Sequence, residues 1–175
     1  MVMRRLLVLL AILGLAGGAC SDDDGGRTAV STSTAAPTTV ATALDLPDQY
    51  ACGYGVALGS TDQTVGLFVH VDYENFEIDR PPTEGGAIGG DTWVGELEQG
   101  TDLFANWCTD LITDPQAQVD DTIPVTSGTI ELVDVPSDGG CGESATIELR
   151  DVELADGQTV PDTTVDADGW GCFPG

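Results

Sequence analysis

Apolar and polar side chains alternate along several short stretches of this chain, and this pattern constrains the fold more than any other feature. In 64–73 the odd positions are occupied by Val65, Leu67, Val69, Val71 and Tyr73, which share one face of an extended strand. The stretches 129–135 and 145–154 alternate similarly, but the parity of the second changes between Leu149 and Val152, which predicts a bulge. The pattern predicts an all-β fold, specifically an antiparallel β-sandwich that is Ig-like in broad architecture.

The segments between these stretches favour turns and loops. Turn sequences rich in Gly, Asp and Ser separate the strands, and 81–90 is predicted to be a long loop rich in Gly and Pro. Only 103–112 has the composition of a short helix. We therefore expect a domain made almost entirely of strands and turns.

The first 20 residues have the order of a secretory signal. Arg4 and Arg5 precede an apolar run, small residues follow at 17–19, and Cys20 comes next. The run is shorter than the roughly 20 residues that a spanning helix needs. The cysteine directly after the small residues resembles the lipobox of bacterial lipoproteins. The resemblance implies that Cys20 receives a diacylglyceryl group and becomes the first residue of the mature chain.

An alternative processing route stays open, because small residues at 17 and 19 also suit ordinary signal peptidase. That route predicts a freely secreted protein with an unmodified Cys20. After Cys20, the composition of 21–48 is rich in Ser, Thr, Ala, Asp and Pro, which predicts a disordered tether. The expected organisation is a signal peptide at 1–19, a lipidated cysteine and tether at 20–48, and one β-sandwich domain at 49–175.

The charge of the chain excludes several classes of partner. All 30 acidic residues follow Cys20, and the mature chain would keep three arginines and no lysine, a side-chain balance of −27. Such a field repels nucleic acid and anionic lipid headgroups. Attachment to a membrane would therefore depend on the lipid on Cys20. The charge itself indicates a well-hydrated surface or, as an alternative, a surface that recruits cations.

The cysteine count agrees with the lipoprotein interpretation. Five cysteines are present, and an extracytoplasmic compartment favours disulfides. A lipid on Cys20 leaves four cysteines, which can all pair in three different ways. We predict Cys52–Cys108 and Cys141–Cys172, because pairing between neighbours in sequence suits a meander. A zinc site is not expected, since no CxxC motif or nearby histidine accompanies these cysteines.

Catalytic motifs are scarce. The one histidine, His70, is predicted to lie mid-strand on the face opposite Val69 and Val71, where a surface role is more typical than catalysis. Carboxylates are so numerous that any pair arises by chance, although a carboxylate-dependent hydrolase of extracellular polymers remains an alternative. The aromatic residues that a sugar platform would need are scattered along the sequence.

Calcium is the metal that the sequence favours, through Asp162, Asp166 and Asp168 before a glycine. Closely spaced carboxylates suit an ion that takes 6–8 oxygen ligands, but the full twelve-residue loop pattern is not present. An Asp-Gly turn without a metal is the alternative. The pair at 120–121 is a second candidate, predicted to lie in a loop.

These observations together predict a lipid-anchored, outward-facing β-sandwich that binds a protein or glycan ligand, or associates with the envelope, without being an enzyme. No cofactor is expected. The alternatives are the extracellular hydrolase and a calcium-stabilised adhesion or scaffold domain.

Overall fold

A computed structural model describes residues 42–76, 82–109, 111, 114–136 and 144–173, and these residues form an all-β fold without a helix. The fold belongs to a compact unit that covers Thr39–Gly175. The strands are β1 (Asp48–Cys52), β2 (Gly55–Gly59), β3 (Val65–Val71), β4 (Gly86–Ala87), β5 (Trp93–Thr101), β6 (Gln118–Asp134), β7 (Ser144–Leu154), β8 (Thr159–Val160) and β9 (Thr163–Asp168).

The strands form one antiparallel sheet in the order β1-β2-β3-β5-β6-β7-β8, with β4 paired to β6 and β9 paired to β7. The 17-residue strand β6 joins the two halves, because its first part pairs with β5 and its remainder with β7. The sheet curls until β1 lies beside β9, where the Gln49 side-chain amide donates to the Thr164 carbonyl oxygen at 3.0 Å. The result is a nearly closed, barrel-like sheet.

The segment after β9 contacts the turn between β1 and β2. The Gly53 amide donates to the Cys172 carbonyl oxygen at 2.9 Å, and the Gly171 amide donates to the Gly53 carbonyl oxygen at 2.8 Å. Gly53 has φ 55°, and a Cβ atom there would lie 2.6 Å from the ring of Phe173. Glycine therefore meets both the backbone and the packing requirements of this contact between the turn and the segment after β9.

The main core fills the inside of the curled sheet. In β3, Leu67, Val69 and Val71 point inward and are buried, as the alternation predicts. Both halves of the sheet contribute to this core, including the fully buried Trp93 and Trp170.

A second, smaller cluster covers the outer face of β1–β3. It comprises Ala57, Phe68, Leu103 and Phe104, with Tyr50 and Trp107 packed against it. Small residues on the strands make room for it, since a Cβ atom on Gly59 or Gly66 would lie 2.6 or 2.8 Å from the Phe104 ring. The Cys52–Cys108 disulfide, which the sequence predicts, is confirmed and ties the covering segment to β1.

The helix predicted within 103–112 is wrong for the described residues, because 102–108 forms turns. Asp102 and Cys108 have φ 53° and 61°, which interrupt a helical backbone. The packing of Phe104 on the glycines and the crosslink at Cys108 override the weak local preference.

Three other sequence predictions can be compared with the fold. The bulge predicted between Leu149 and Val152 is confirmed, with Asp151 at φ 51° and a register shift opposite Gly128. The loop predicted at 81–90 contains β4, which pairs with β6. Ordered pairing starts before residue 49, since the Leu44 amide donates to the Thr159 carbonyl oxygen at 3.0 Å. The described ranges contain no helix that is long and apolar enough to cross a bilayer.

Candidate functional site

A concave site of about 400 Å³ lies on the outer face of the sheet, at the edge of the smaller cluster. We call it the aromatic cleft. It forms where the turn after β1, the end of β3 and the segment before residue 110 meet. The residues that line it are Cys52, Gly55, His70, Tyr73, Trp107, Cys108 and Thr109.

The register between β2 and β3 positions His70 in this cleft. His70 lies opposite Gly55, where a Cβ atom would be 2.9 Å from the His70 Cβ atom, so glycine leaves room for the imidazole. The Nδ1 atom of His70 lies 2.8 Å from the Val71 carbonyl oxygen. A carbonyl oxygen only accepts, so Nδ1 donates and Nε2 of the neutral ring carries the lone pair.

Two exposed rings extend the aromatic surface beside His70. Tyr73 stacks on the imidazole at 5.4 Å between centroids, and Phe173 contacts Tyr73 edge-on at 6.4 Å. Their exposed fractions are 47% and 39%, which is high for rings of this size. Burial raises the pKa of the Tyr73 hydroxyl, and a hydrogen bond with the Tyr54 backbone opposes this effect. The neutral phenol can also donate a hydrogen bond.

Trp107 lines the same cleft and carries a buried donor without a partner in the described part of the chain. Within the described residues, only two buried side-chain nitrogen or oxygen atoms lack a hydrogen-bond partner, and both are indole Nε1 atoms. They belong to Trp107 in the aromatic cleft and to Trp93, which lines a different cleft. Buried donors are almost always paired in native proteins, so each unpaired indole requires an explanation.

A second cleft lies around β4 and the start of β5 and has a volume of about 520 Å³. We call it the glycine cleft, because Gly85, Gly86 and Gly90 line it. Its other lining residues are Phe76, Pro82, Thr83, Glu84, Ala87, Asp91, Thr92 and Trp93.

The predicted calcium ligands do not converge. The Asp162 carboxylate accepts from the Asp151 amide at 3.0 Å, and the Asp168 carboxylate accepts from the Ser144 hydroxyl at 2.8 Å. Asp166 lies within β9, exposed on the strand. No group of three or more His, Cys, Asp or Glu side chains that could hold a metal ion occurs among the described residues.

The second calcium candidate is also placed differently from the prediction. Asp120 and Asp121 lie within β6 and not in a loop, and the Asp121 carboxylate accepts from the neighbouring Thr122 amide at 3.0 Å. Cys20 and Cys141 lie outside the described residues, so the lipid site and the Cys141–Cys172 pairing stay predictions.

The aromatic cleft was missed in the sequence because its rings are far apart along the chain. Tyr73 follows β3, whereas Trp107 comes after β5, so these aromatic residues are scattered along the sequence. The one available signal was the predicted Cys52–Cys108 pair, which brings Trp107 next to β1 and hence near the end of β3. Phe173 contacts Tyr73 and is partly exposed, whereas Trp170 is fully buried against Tyr54.

Comparisons with known protein families, with curated proteins and with solved structures find no match to this chain.

Proposed function

We propose that this protein is a lipid-anchored, outward-facing binding module without enzymatic activity, and that the aromatic cleft is its ligand site. The observation that carries the proposal is the convergence of His70, Tyr73 and Trp107 on one cleft, with an unpaired indole donor among them. A mostly apolar cleft with a few polar groups is typical of small-molecule sites, which have volumes of about 300–1,000 Å³.

The chemistry of the cleft limits its ligand. Aromatic faces and a disulfide favour a small ligand with an apolar face, and the neutral Tyr73 hydroxyl and the Trp107 indole favour one that carries acceptor atoms. The strongly negative chain repels anions. The described lining residues include no carboxylate and no serine, so the site offers no pair of groups for hydrolysis.

The anchor is supported by the leader and by the cysteine pairing. Cys52 is bonded to Cys108, and Cys172 is also in a disulfide, which agrees with the proposed Cys141–Cys172 bond. With those four cysteines paired, Cys20 would be an exposed spare thiol unless it carries lipid. The tether before the domain would let the aromatic cleft reach away from the membrane surface.

We also infer that the curled sheet is a two-layer, Ig-like sandwich stapled by two disulfides. The support is a main core to which both halves of the sheet contribute. Peptide mapping without reduction tests the second staple, because a Cys141–Cys172 peptide is expected and a Cys20–Cys141 or Cys20–Cys172 peptide would contradict it.

Mass spectrometry of the protein from its native envelope tests the anchor. We expect a mature N-terminus at Cys20 with a diacylglyceryl group on sulfur, and processing that globomycin blocks. The matched variant is Cys20→Ser, which keeps the leader but removes the acceptor thiol and should not receive lipid. An unmodified Cys20 at the native N-terminus would overturn the anchor and leave the freely secreted alternative.

Nile red, a neutral fluorescent probe with an apolar face, tests the cleft. We expect saturable binding that Tyr73→Ala weakens about fivefold, since an aromatic contact is worth about 1 kcal/mol. The matched control is Val133→Ala, which removes another exposed apolar side chain, on β6. Equal binding by the wild type and by Tyr73→Ala would refute the aromatic cleft as the ligand site.

A further inference from the structure

We propose that the glycine cleft is a second binding site, and that it takes a neutral ligand rich in hydroxyl groups, namely a sugar or a polyol. This site is independent of the aromatic cleft, because the two share no lining residue. The inference rests on an unpaired buried donor, a missing side chain in front of it, and the polar groups at the rim.

The unpaired donor is the indole of Trp93. The side chain is 1% exposed, yet its Nε1 atom has no hydrogen-bond partner among the described residues. Leaving a buried N–H group without an acceptor costs about 1–3 kcal/mol. Trp93 also lines the glycine cleft, so an acceptor atom on a ligand in the cleft is the group that would satisfy this donor.

Gly86 leaves the edge of this indole without a side chain over it. A Cβ atom on Gly86 would lie 3.3 Å from Trp93 Cδ1 and 3.8 Å from Nε1, in the space between the strand and the ring. The neighbouring Gly85 has a different role, since its Cβ atom would lie 2.0 Å from the Ile130 carbonyl oxygen. Gly85 therefore permits the pairing of β4 with β6, whereas Gly86 keeps the cleft open.

The rim of the cleft determines which acceptor-bearing ligand fits. Glu84 and Asp91 are exposed carboxylates that only accept hydrogen bonds when ionised, so they require donors on the ligand. Thr83 and Thr92 add hydroxyls, which donate and accept. A hydroxyl-rich ligand supplies donors to the carboxylates and an acceptor to Trp93, and Phe76 offers an apolar surface for its carbon face.

Other ligand classes satisfy fewer of these groups. An anion would accept from the indole but would be repelled by the two carboxylates and by the acidic chain. A quaternary ammonium ion would be attracted by the carboxylates but has no acceptor for the indole. A neutral hydroxyl-rich ligand matches both requirements.

The test uses the indole resonances of the 15N-labelled protein, which has three tryptophans. The probes are glycerol and the methyl glycosides of glucose, galactose, mannose and N-acetylglucosamine, with tetramethylammonium chloride and sodium acetate for comparison. We expect at least one hydroxyl-rich probe to shift the Trp93 indole signal saturably and to leave the signal of Trp170 in place. No saturable shift with any of these hydroxyl-rich probes would overturn the site, and tighter binding of tetramethylammonium or acetate would overturn the ligand class.

Two variants test the contact itself. Gly86→Ala should weaken the bound probe about fivefold or more, because the methyl group fills the space in front of the indole. Trp93→Phe keeps a ring but removes the donor, and ligand-observed saturation-transfer NMR should show weakening of about fivefold. The control is Val133→Ala, which removes an exposed side chain outside both clefts and should keep wild-type affinity for the probe. Wild-type affinity in Gly86→Ala would refute the proposal even if Trp93→Phe does not fold.

Discussion

The Cys52–Cys108 disulfide allows a quantitative prediction about stability. Its two cysteines are 56 residues apart, and it holds the turn segment 102–108 against β1. On the chain-entropy model, a crosslink that closes a loop of this length stabilises the folded state by about 4 kcal/mol. Small domains have free energies of unfolding of about 5–15 kcal/mol, so the crosslink accounts for a large part of the total.

The perturbation is the double variant Cys52→Ser with Cys108→Ser, which removes the crosslink without leaving a free thiol. We expect its free energy of unfolding to fall by about 4 kcal/mol in guanidinium chloride, measured by tryptophan fluorescence. Because Trp107 precedes Cys108, the aromatic cleft should also lose its shape, and Nile red binding should weaken in the same variant.

A comparison variant separates the crosslink from the packing beneath it. Phe104→Ala keeps the disulfide but removes a ring that is 7% exposed and stacks on Tyr50 and Phe68. Large-to-small changes of this kind cost about 3–5 kcal/mol. The free energy of unfolding could instead fall by less than about 1 kcal/mol in the double serine variant and by the expected amount in Phe104→Ala. That result would refute the argument that the crosslink holds the segment.

The remaining predictions concern pH. Burial, and then repulsion from Glu96, raise the pKa of Glu98. The protonated side chain therefore stabilises the folded state fully below the pKa that Glu98 has in the unfolded chain, and this stabilisation is lost as the pH rises through its pKa in the folded state. Glu98→Gln should therefore stabilise the protein at neutral pH by less than about 1 kcal/mol, because the side chain is partly solvated, and a gain that persists at low pH would contradict this. Hydrogen bonds from Ser60 and Thr64 lower the pKa of Asp62. The ionised carboxylate therefore stabilises the folded state above the pKa that Asp62 has in the unfolded chain, and this stabilisation is lost as the pH falls through its pKa in the folded state. Asp62→Asn should lower the thermal midpoint at neutral pH, with a difference that shrinks on acidification, and an equal difference at both pH values would count against the turn's role.

The strands of this fold were predictable because alternation is a local property of the sequence. The inward residues of β3 and the bulge near Asp151 both follow from the parity of apolar positions. The disulfide was predictable from sequence proximity. The segment after β5 was not, because its conformation depends on Phe104 packing over glycines from two other strands.

The clefts were harder to predict than the strands, because they depend on which loops meet. Tyr73 and Trp107 come together only through strand register and a crosslink. Burial places Trp93 in the core. Its missing hydrogen-bond partner is a property of three-dimensional packing around Gly86, for which the sequence offers no pattern.

The contact between Gly53 and residues 171–172 has a consequence for the order of folding. A chain synthesised from its N-terminus completes β1 early, but the partners of Gly53 follow only after β9. Strands that follow one another in the sequence can pair as they appear, whereas this contact requires nearly the whole domain. Its closure is therefore a late step in folding, and chains truncated before Gly171 would keep the Gln49–Thr164 hydrogen bond between β1 and β9 but lose the contact at Gly53.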